Sequence, residues 1–394
     1  MSAHNIIYNG FLRLHEAGKP TEAIHLINWL VSQGLLDKIG GRSKIAQLID
    51  RTVSSINVDH LARLVAEKYL SRSLITVGNE IMEMGYDDSK DIADRLNNAE
   101  QKLFAIADQR RKGAGLQLAG EIVAEVWQDL EAGVNPGIPT GFYDLDTLLG
   151  GLFPGSLYVI GAVSGCGKSA LANQLAYQLS KSGLPGAIFS LEMPRKQVLN
   201  RFLALEAGVS VKRLKSRQIS DFEWPKIAEA VNVISGINLH IDDTPGISAT
   251  EIVAQCRRLK SQFKQLGCVV IDYLQLMVGE GNEGTRNLEL AAISRRFKMM
   301  AVELDVPVIV LSQFNRNLET RSSKRPVLSD LKDTGALGQD ADVVLGLYRD
   351  IIYNPDTPDR NIAEVIVLKH RDGETGTVKL LFDGEHIKFF NTPQ

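Results

Sequence analysis

The first hundred residues of the chain carry apolar side chains at helical spacing. Apolar positions recur three or four residues apart, at Ile24, Ile27, Leu30, Val31, Leu61, Leu64, Val65, Ile92, Leu96, Leu103 and Ile106. This period predicts amphipathic helices, and glycine-containing breaks near residues 18, 34, 40 and 85 separate them. We therefore predict a small all-helical domain over residues 1–109.

A charged, glycine-rich run at residues 110–115 follows this domain. It is typical of a linker, although a solvated surface loop has the same composition. One amphipathic helix is predicted next, with an apolar face formed by Leu118, Ile122, Val123, Val126 and Leu130. That face packs either on its own chain or on a neighbouring subunit, and the pattern leaves both open. Residues 110–140 are predicted as a linker containing a docking helix.

From residue 155 onward, short β-rich apolar runs alternate with helical stretches. Eight runs are predicted as strands: 157–162, 187–191, 239–241, 268–271, 306–311, 343–348, 362–369 and 378–383. Continuous apolar runs are typical of strands buried on both faces, so we predict an α/β domain with a mostly parallel sheet over residues 141–394. The last two runs, joined by a glycine-containing turn, predict a terminal antiparallel hairpin.

Composition narrows the class of protein without deciding its function. Hydrophobic residues make up 44% and charged residues 23%, which excludes a wholly disordered or collagen-like chain. The formal net charge is −3, so any contact with nucleic acid requires local basic loops. Three scattered cysteines are too few for a disulfide framework and favour a reducing, cytoplasmic setting. Neither a signal peptide nor a membrane span is predicted.

The segment after the first predicted strand has the pattern of a phosphate-binding loop. It reads Ala162-Val163-Ser164-Gly165-Cys166-Gly167-Lys168-Ser169 and leads into a predicted helix. Backbone N–H groups of such a loop converge on phosphate oxygens, Lys168 reaches the β- and γ-phosphates, and Ser169 ligates Mg²⁺. Ala162 stands where the motif has glycine. An ordinary glycine turn, however, does not explain the Lys-Ser pair.

Three other predicted strands end in polar residues, at the edge where open α/β sheets bind ligands. Asp272 is the candidate to hold magnesium through water. Glu192 is the candidate general base for the attacking water, provided that its strand lies beside the phosphate loop. Gln313 has an amide that can sense the γ-phosphate. Together these residues predict an ATP-hydrolysing site.

Two basic residues, Lys369 and Arg371, lie at the end of a later predicted strand. Cations at such a place commonly form a solvated edge that opposes aggregation. The alternative is an arginine finger supplied in trans, with both residues neutralising charge on a neighbouring subunit's ATP. The residue types alone leave both interpretations open.

Two segments are basic enough to be candidates for DNA contact. They are residues 286–298, with Arg286, Arg295, Arg296 and Lys298, and residues 315–338, with Arg316, Arg321, Lys324, Arg325 and Lys332. Such clusters are usually solvated surface, but loops lining the channel of a ring can track a phosphate backbone. Because few aromatic residues interleave, backbone tracking is expected rather than base stacking.

Six motifs, in order and spacing, resemble those of the bacterial replicative DNA helicase family, DnaB. They are GFYDLD at 141–146, the phosphate loop, SLEM at 190–193, VIDYLQL at 270–276, LSQFNR at 311–316 and QDADVV at 339–344. The resemblance covers essentially the whole chain, including LHEAG at 14–18. It implies a RecA-like P-loop NTPase motor domain preceded by the helical domain and a linker helix.

The resemblance also implies an activity and partners. It implies a homo-hexameric ring that uses ATP and Mg²⁺ to move 5′ to 3′ on single-stranded DNA and to unwind forked duplex. The family's linker helix, which docks on the adjacent subunit, matches the helix at 118–130. Lys369 and Arg371 match its trans-acting basic pair. The implied DNA-binding residues are Arg316, Lys332, Asp333 and Gly335. Primase and a helicase loader are further implied partners.

Three departures from the family pattern modify these expectations. The helical domain starts late, so the resemblance leaves open the dimerised collar and primase recruitment through it. The phosphate loop carries Cys166 where relatives have Met, and we expect thiol sensitivity there. Lys332, Asp333 and Gly338 replace Arg, Glu and Glu in the DNA loop, so a weaker grip on DNA is expected.

The functional hypothesis is therefore an ATP-dependent replicative DNA helicase. The alternative is a shortened family member that binds DNA or replication proteins without productive unwinding. A recombination or clock ATPase shares the RecA-like motor, but the helical domain and the QDAD block at 339–342 argue against it.

Overall fold

The computed structural model divides into two compact units, Met1–Gln128 and Asp129–Gln394. The residues that it describes are 3–16, 20–50, 58–87, 91–109, 119–133, 137–263, 265–272, 286–315, 318, 321–331 and 335–393. The predicted charged linker run at 110–115 lies outside the described residues, and the predicted domain boundaries at 109 and 140 stay predictions. Among the described helices, none combines the length and apolar character that crossing a bilayer requires.

The described residues of the first unit form helices joined by turns, as the apolar spacing predicts. Its helices are α1 (Ala3–Glu16), α2 (Ala23–Ser32), α3 (Gly41–Asp50), α4 (Val58–Tyr86) and α5 (Ile92–Gln109), and α6 (Ala119–Ala132) spans the boundary between the units. A small apolar core includes Leu14, Leu26 and Leu30. Lys102 of α5 forms an ion pair with Glu80 of α4, which ties these two helices together.

The second unit is built on one nine-stranded sheet. Its strands are β1 (Leu157–Ala162), β2 (Gly186–Ser190), β3 (Leu239–Asp242), β4 (Cys268–Asp272), β5 (Val308–Gln313), β6 (Val343–Tyr348), β7 (Ile362–His370), β8 (Gly376–Asp383) and β9 (Lys388–Asn391). They lie in the order β3-β2-β4-β5-β1-β6-β7-β8-β9. The first six in this order pair in parallel, and β6 to β9 pair antiparallel. A mostly parallel sheet with a terminal antiparallel hairpin is thus confirmed.

Helices cover both faces of this sheet. They are α7 (Tyr143–Leu149), α8 (Lys168–Lys181), α9 (Arg195–Ala207), α10 (Val211–Ser216), α11 (Trp224–Ser235), α12 (Ala249–Gln262), α13 (Arg286–Leu304) and α14 (Gly335–Asp340). Side chains of β1 alternate between two cores: Tyr158 and Ile160 pack with α8, while Val159 packs with α12 and α13. Burial on both faces explains why the central strands read as continuous apolar runs.

The strand predictions hold for β1 and β6 at both ends and for the other six within two residues. One strand was missed: β9 has only four residues, and two of them are polar or charged. The helix after the phosphate loop begins at Lys168, two residues before the predicted start. The earlier start matters because it places Lys168 and Ser169 in the first turn of α8.

Candidate functional site

The phosphate loop connects the end of β1 to the start of α8. Gly165 and Gly167 have φ values of +77° and +108°. The backbone of a residue with a side chain rarely adopts such values. At Gly167 a Cβ atom would also lie 3.3 Å from Phe389 Cζ. Ser164 and Gly165 are exposed. The loop therefore presents open backbone at the N-terminus of a fourteen-residue helix, an arrangement suited to an anion.

A buried amide fixes α8 relative to the last strand. Gln174 Nε2 donates to the carbonyl oxygen of Phe389 at 2.8 Å, and the Phe389 N–H donates back to Gln174 Oε1 at 2.8 Å. Gln174 is 1% exposed. The helix that carries Lys168 and Ser169 is held to the sheet through this pair of hydrogen bonds. The sequence analysis did not single out Gln174, because its partner is 215 residues away.

Cys166 points from the loop into the sheet. Its side chain is 1% exposed, and its thiol donates to the carbonyl oxygen of Leu347 at 3.3 Å. Burial raises the pKa of Cys166 to about 12. The expected thiol sensitivity is therefore wrong, because the thiol is protonated and shielded from reagents.

Asp272 ends β4 with a carboxylate that is fully buried. Among the described residues no hydrogen bond of ordinary geometry reaches either carboxylate oxygen, but the Ser169 hydroxyl lies close enough to lower the pKa of Asp272 as a hydrogen-bond donor does. Burial and the charge of Glu192 raise the pKa of Asp272, while Ser169, Lys168 and Arg201 nearby lower it. A buried carboxylate without a hydrogen bond is costly unless another group neutralises it.

Glu192 approaches the loop by a different route from the expected one. Its strand, β2, is separated from β1 by β4 and β5, so the proviso that it lies beside the phosphate loop is not met. The turn after β2 nevertheless brings Glu192 Oε2 to 3.6 Å from Lys168 Nζ. The Glu192 carboxylate is half exposed.

Gln313 lies where the sequence places it. It is the last residue of β5, and its backbone pairs with Ala162 at the start of the phosphate loop. The Phe314 N–H donates to the carbonyl oxygen of Ala162 at 3.1 Å, which holds the two strand ends together. The Gln313 side chain is exposed and extends from the same edge of the sheet as the loop.

Arg201 of α9 is a further cationic group of this site, and sequence reasoning missed it. Burial lowers the pKa of Arg201, while the charges of Asp272 and Glu192 raise it. These two acidic groups therefore share a neighbouring guanidinium. Nothing in the sequence marks an arginine in the middle of a helix as part of a site.

Lys369 and Arg371 lie at the opposite edge of the sheet from the phosphate loop. Because β7 runs antiparallel to β6, His370 pairs with Val343 at the amino end of β6, and Val343 in turn pairs with Tyr158 near the start of β1. The phosphate loop follows the end of β1, roughly 17 Å further along at the rise of a β-strand. The structure does not bring the basic pair to the phosphate loop of the same chain.

Each member of the basic pair has partners within its own chain. Lys369 Nζ donates to the carbonyl oxygens of Gly338, Gln339 and Ala341, at 3.0, 2.9 and 2.6 Å. Burial lowers the pKa of Lys369, and the neighbouring Arg371 lowers it further. Arg371 Nη1 contacts Asp342 Oδ1 at 3.2 Å and remains 61% exposed.

Several of the candidate DNA-contact residues form ion pairs within their own chain. Arg325 makes two hydrogen bonds to Glu364, both at 2.7 Å, and Arg321 pairs with Asp330. Lys298 contacts Asp342 at 2.6 Å. These cations pair with acidic residues of their own chain, and their contact with DNA stays a prediction.

The four residues that the family resemblance implies for DNA binding are only partly described. Arg316, Lys332 and Asp333 lie outside the described residues, and their assignment stays a prediction. Gly335 is the first residue of α14.

Comparison with known protein families shows which fold and family this geometry belongs to. The model of the DnaB-like helicase C-terminal domain matches residues 137–391, and that of the DnaB-like helicase N-terminal domain matches residues 1–67. The chain belongs to the DnaB-like replicative helicase family. The predicted resemblance and the α/β, RecA-like fold are thereby confirmed.

Individual relatives agree with this family. The replicative DNA helicase DnaC of Bacillus subtilis (strain 168) is 37% identical over 396 residues, covering 99% of this chain and 87% of that protein. The replicative DNA helicase DnaB of Nostoc sp. (strain PCC 7120) is 43% identical over 350 residues, covering 88% of this chain but 40% of that protein. By family, the chain is a replicative DNA helicase, an ATP-dependent class of enzyme.

A solved structure extends the similarity over both units. It is described as a DnaB-like replicative helicase and its interactions with primase, and it has a TM-score of 0.74 at 31% identity. The alignment covers 98% of this chain and 91% of that one. The fold of this chain is therefore that of a DnaB-like helicase over nearly its whole length.

Proposed function

We propose that the chain hydrolyses MgATP at junctions between copies of itself and uses the energy to unwind DNA. The phosphate loop, from Ser164 to Ser169, holds the triphosphate, with Lys168 at its β- and γ-phosphates. Glu192 orients and deprotonates the attacking water, and Gln313 contacts the γ-phosphate. A neighbouring subunit supplies Arg371 and Lys369, which neutralise charge that develops during transfer.

Asp272 supports the assignment of a divalent cation to this site. Two buried carboxylate oxygens without hydrogen-bond partners, close to the Ser169 hydroxyl, match the oxygen ligands that Mg²⁺ prefers. Ser169 and Asp272 would hold the ion, directly or through water. When bound, Mg²⁺ supplies positive charge that stabilises the phosphate oxygens.

The position of Arg371 is the observation that carries the proposal. The guanidinium lies beside the start of β1, whereas the phosphate loop follows its end. One chain therefore holds two parts of a hydrolytic site at opposite edges of its sheet. Copies arranged head to tail bring the basic edge of one to the phosphate edge of the next, and such contacts close into a ring when the rotation permits.

A hexameric ring on single-stranded DNA is the assembly that we propose. The exposed apolar side chains of α6 support it, since they offer a face for a neighbouring subunit: Ile122, Val123, Val126, Trp127 and Leu130. We further propose movement 5′ to 3′, with Arg316, Lys332, Asp333 and Gly335 near the DNA backbone. The described interactions of the similar solved helicase make primase a proposed partner, and a helicase loader is proposed with it.

Strand displacement on a forked DNA substrate tests the proposal. Glu192→Gln removes the general base while keeping the shape of the side chain, and we expect ATP-dependent unwinding to be abolished with nucleotide binding retained. Glu206→Gln is the matched control, because Glu206 also pairs with a lysine, Lys181, at 2.6 Å. Undiminished unwinding by Glu192→Gln would refute the mechanism. The alternative of a binding protein without unwinding is not favoured by the family.

A further inference from the structure

We infer that Lys298 and Asp342 are positioning residues for Arg371. Asp342 holds the guanidinium within its own subunit, and Lys298 lowers the free energy needed to release it. This inference rests on the proposed role of Arg371 at a neighbouring subunit's nucleotide. An arginine that acts in trans must leave any partner that it has in its own chain. The contacts around Asp342 show what that departure requires.

Asp342 is a largely buried carboxylate that connects four elements. Its side chain is 10% exposed, and Oδ2 accepts from the Leu157 N–H at 2.8 Å and from Lys298 Nζ at 2.6 Å. Oδ1 accepts from Arg371 Nη1 at 3.2 Å. The start of β1, the start of β6, the end of β7 and α13 therefore meet at one acidic group.

Two cations share this one carboxylate, and they are not equivalent. Lys298 is 26% exposed and also donates to the carbonyl oxygen of Gly155 at 3.0 Å. Arg371 is 61% exposed and makes the longer contact. Exposed ion pairs contribute little to stability, whereas the partner of a buried charge is costly to remove. Lys298 is thus the permanent partner and Arg371 the one that can leave.

Lys298 lowers the free energy needed for the guanidinium to leave Asp342. Once the guanidinium has moved away, Asp342 keeps the Lys298 ammonium and the Leu157 N–H, so no buried charge is left without compensation. The backbone does not need to follow, because the Arg371 N–H donates to the Asp342 carbonyl oxygen at 2.9 Å. Only the arginine side chain has to move toward a neighbour.

The neighbouring Lys369 is held by hydrogen bonds to other groups, and Asp342 acts on it as a nearby charge. Its ammonium donates to three carbonyl oxygens at the end of α14, and no carboxylate is among these acceptors. Changing Lys298 therefore alters the hold on Arg371 and leaves the contacts of Lys369 in place.

The first measurement separates this inference from the function on which it rests. In the full-length hexamer, Arg371→Ala is expected to lower kcat of DNA-stimulated ATP hydrolysis more than about a hundredfold. Turnover that is unchanged by Arg371→Ala would overturn the proposed trans role and this inference with it.

Lys298→Met then tests the inference itself. Asp342 would have Arg371 as its remaining cation and hold it back, so we expect kcat to fall about tenfold while KM for ATP stays within about twofold. Lys298→Arg keeps a cation and is expected to restore most of kcat. Lys181→Met is the matched control, since it removes the lysine of the 2.6 Å pair with Glu206, and it should keep wild-type turnover.

A double variant distinguishes positioning from a general structural effect. Asp342→Asn removes the charge that retains Arg371, so adding Lys298→Met to it should cause no further loss of kcat. Wild-type turnover in Lys298→Met, or a loss that adds in full to that of Asp342→Asn, would overturn the inference. Either result leaves the Arg371→Ala result, and the proposed function, standing.

Discussion

Asp272→Asn is predicted to stabilise the nucleotide-free protein while abolishing its ATP hydrolysis. The substitution keeps the shape of the side chain and removes a charge that is fully buried without a hydrogen-bond partner among the described residues. A carboxylate placed to bind a cation lowers the stability of the protein while the cation is absent. Removing it therefore has opposite effects on folding and on catalysis.

The structure sets the size of the effect. A buried polar group without a hydrogen bond costs about 1–3 kcal/mol, and more when it is charged. The Ser169 hydroxyl, Lys168 and Arg201 offset part of the cost, because all three lower the pKa that burial raises. The remaining amide is also unsatisfied, so we expect a net gain of about 1–2 kcal/mol. For a domain of this size that is roughly 3–6 °C in Tm.

The assay is thermal unfolding of the full chain with and without magnesium and a slowly hydrolysed ATP analogue. At a hundredfold excess over Kd, the wild type gains about 2.7 kcal/mol from the ligand. Asp272→Asn should gain much less, so the order of the two Tm values reverses when ligand is added. Asp330→Asn is the matched control: Asp330 is buried but paired with Arg321, and its loss should destabilise the protein. A lower Tm for ligand-free Asp272→Asn, or an equal gain from the ligand, would refute the reasoning.

Two further predictions concern the surroundings of the site. Gln174→Ala removes both hydrogen bonds to Phe389 and should lower the free energy of unfolding by about 2–3 kcal/mol, seen as a lower midpoint in urea unfolding. An unchanged midpoint would show that this contact between α8 and β9 is dispensable. The three cysteines are buried, and burial raises the pKa of each to about 12. The native protein should therefore resist a thiol reagent that labels all three cysteines in denaturant. Fast labelling of Cys166 in the native protein would contradict its burial.

The sequence predicts those parts of the fold and site that depend on local pattern. The runs of β1 and β6 are continuous and apolar because both faces of these strands are buried. The sequence therefore shows where each of these strands begins and ends. Asp272 and Gln313 end such runs, and the parallel sheet brings their ends to one edge. The phosphate loop is likewise readable, since its glycines and its Lys-Ser pair are contiguous.

Long-range contacts explain what the sequence does not reveal. Asp342 accepts hydrogen bonds from Leu157, which is 185 residues away in sequence, and from Lys298, which is 44 residues away. No local sequence pattern marks such partners. For the same reason the sequence does not show that Lys298 and Arg325, two of the candidates for DNA contact, each pair with an acidic residue of their own chain. Strand order is also a property of the whole fold, which is why the route by which Glu192 reaches Lys168 was not foreseen.

The central claim is that each hydrolytic site is completed by two copies of the chain, and mixing two inactive variants tests it directly. Lys168→Ala lacks a working phosphate loop but carries Arg371, and Arg371→Ala lacks the finger but carries the loop. In randomly mixed rings about one quarter of the junctions regain both halves. We predict that the mixture hydrolyses ATP although neither variant does so alone. A mixture that stays as inactive as its components would contradict the account.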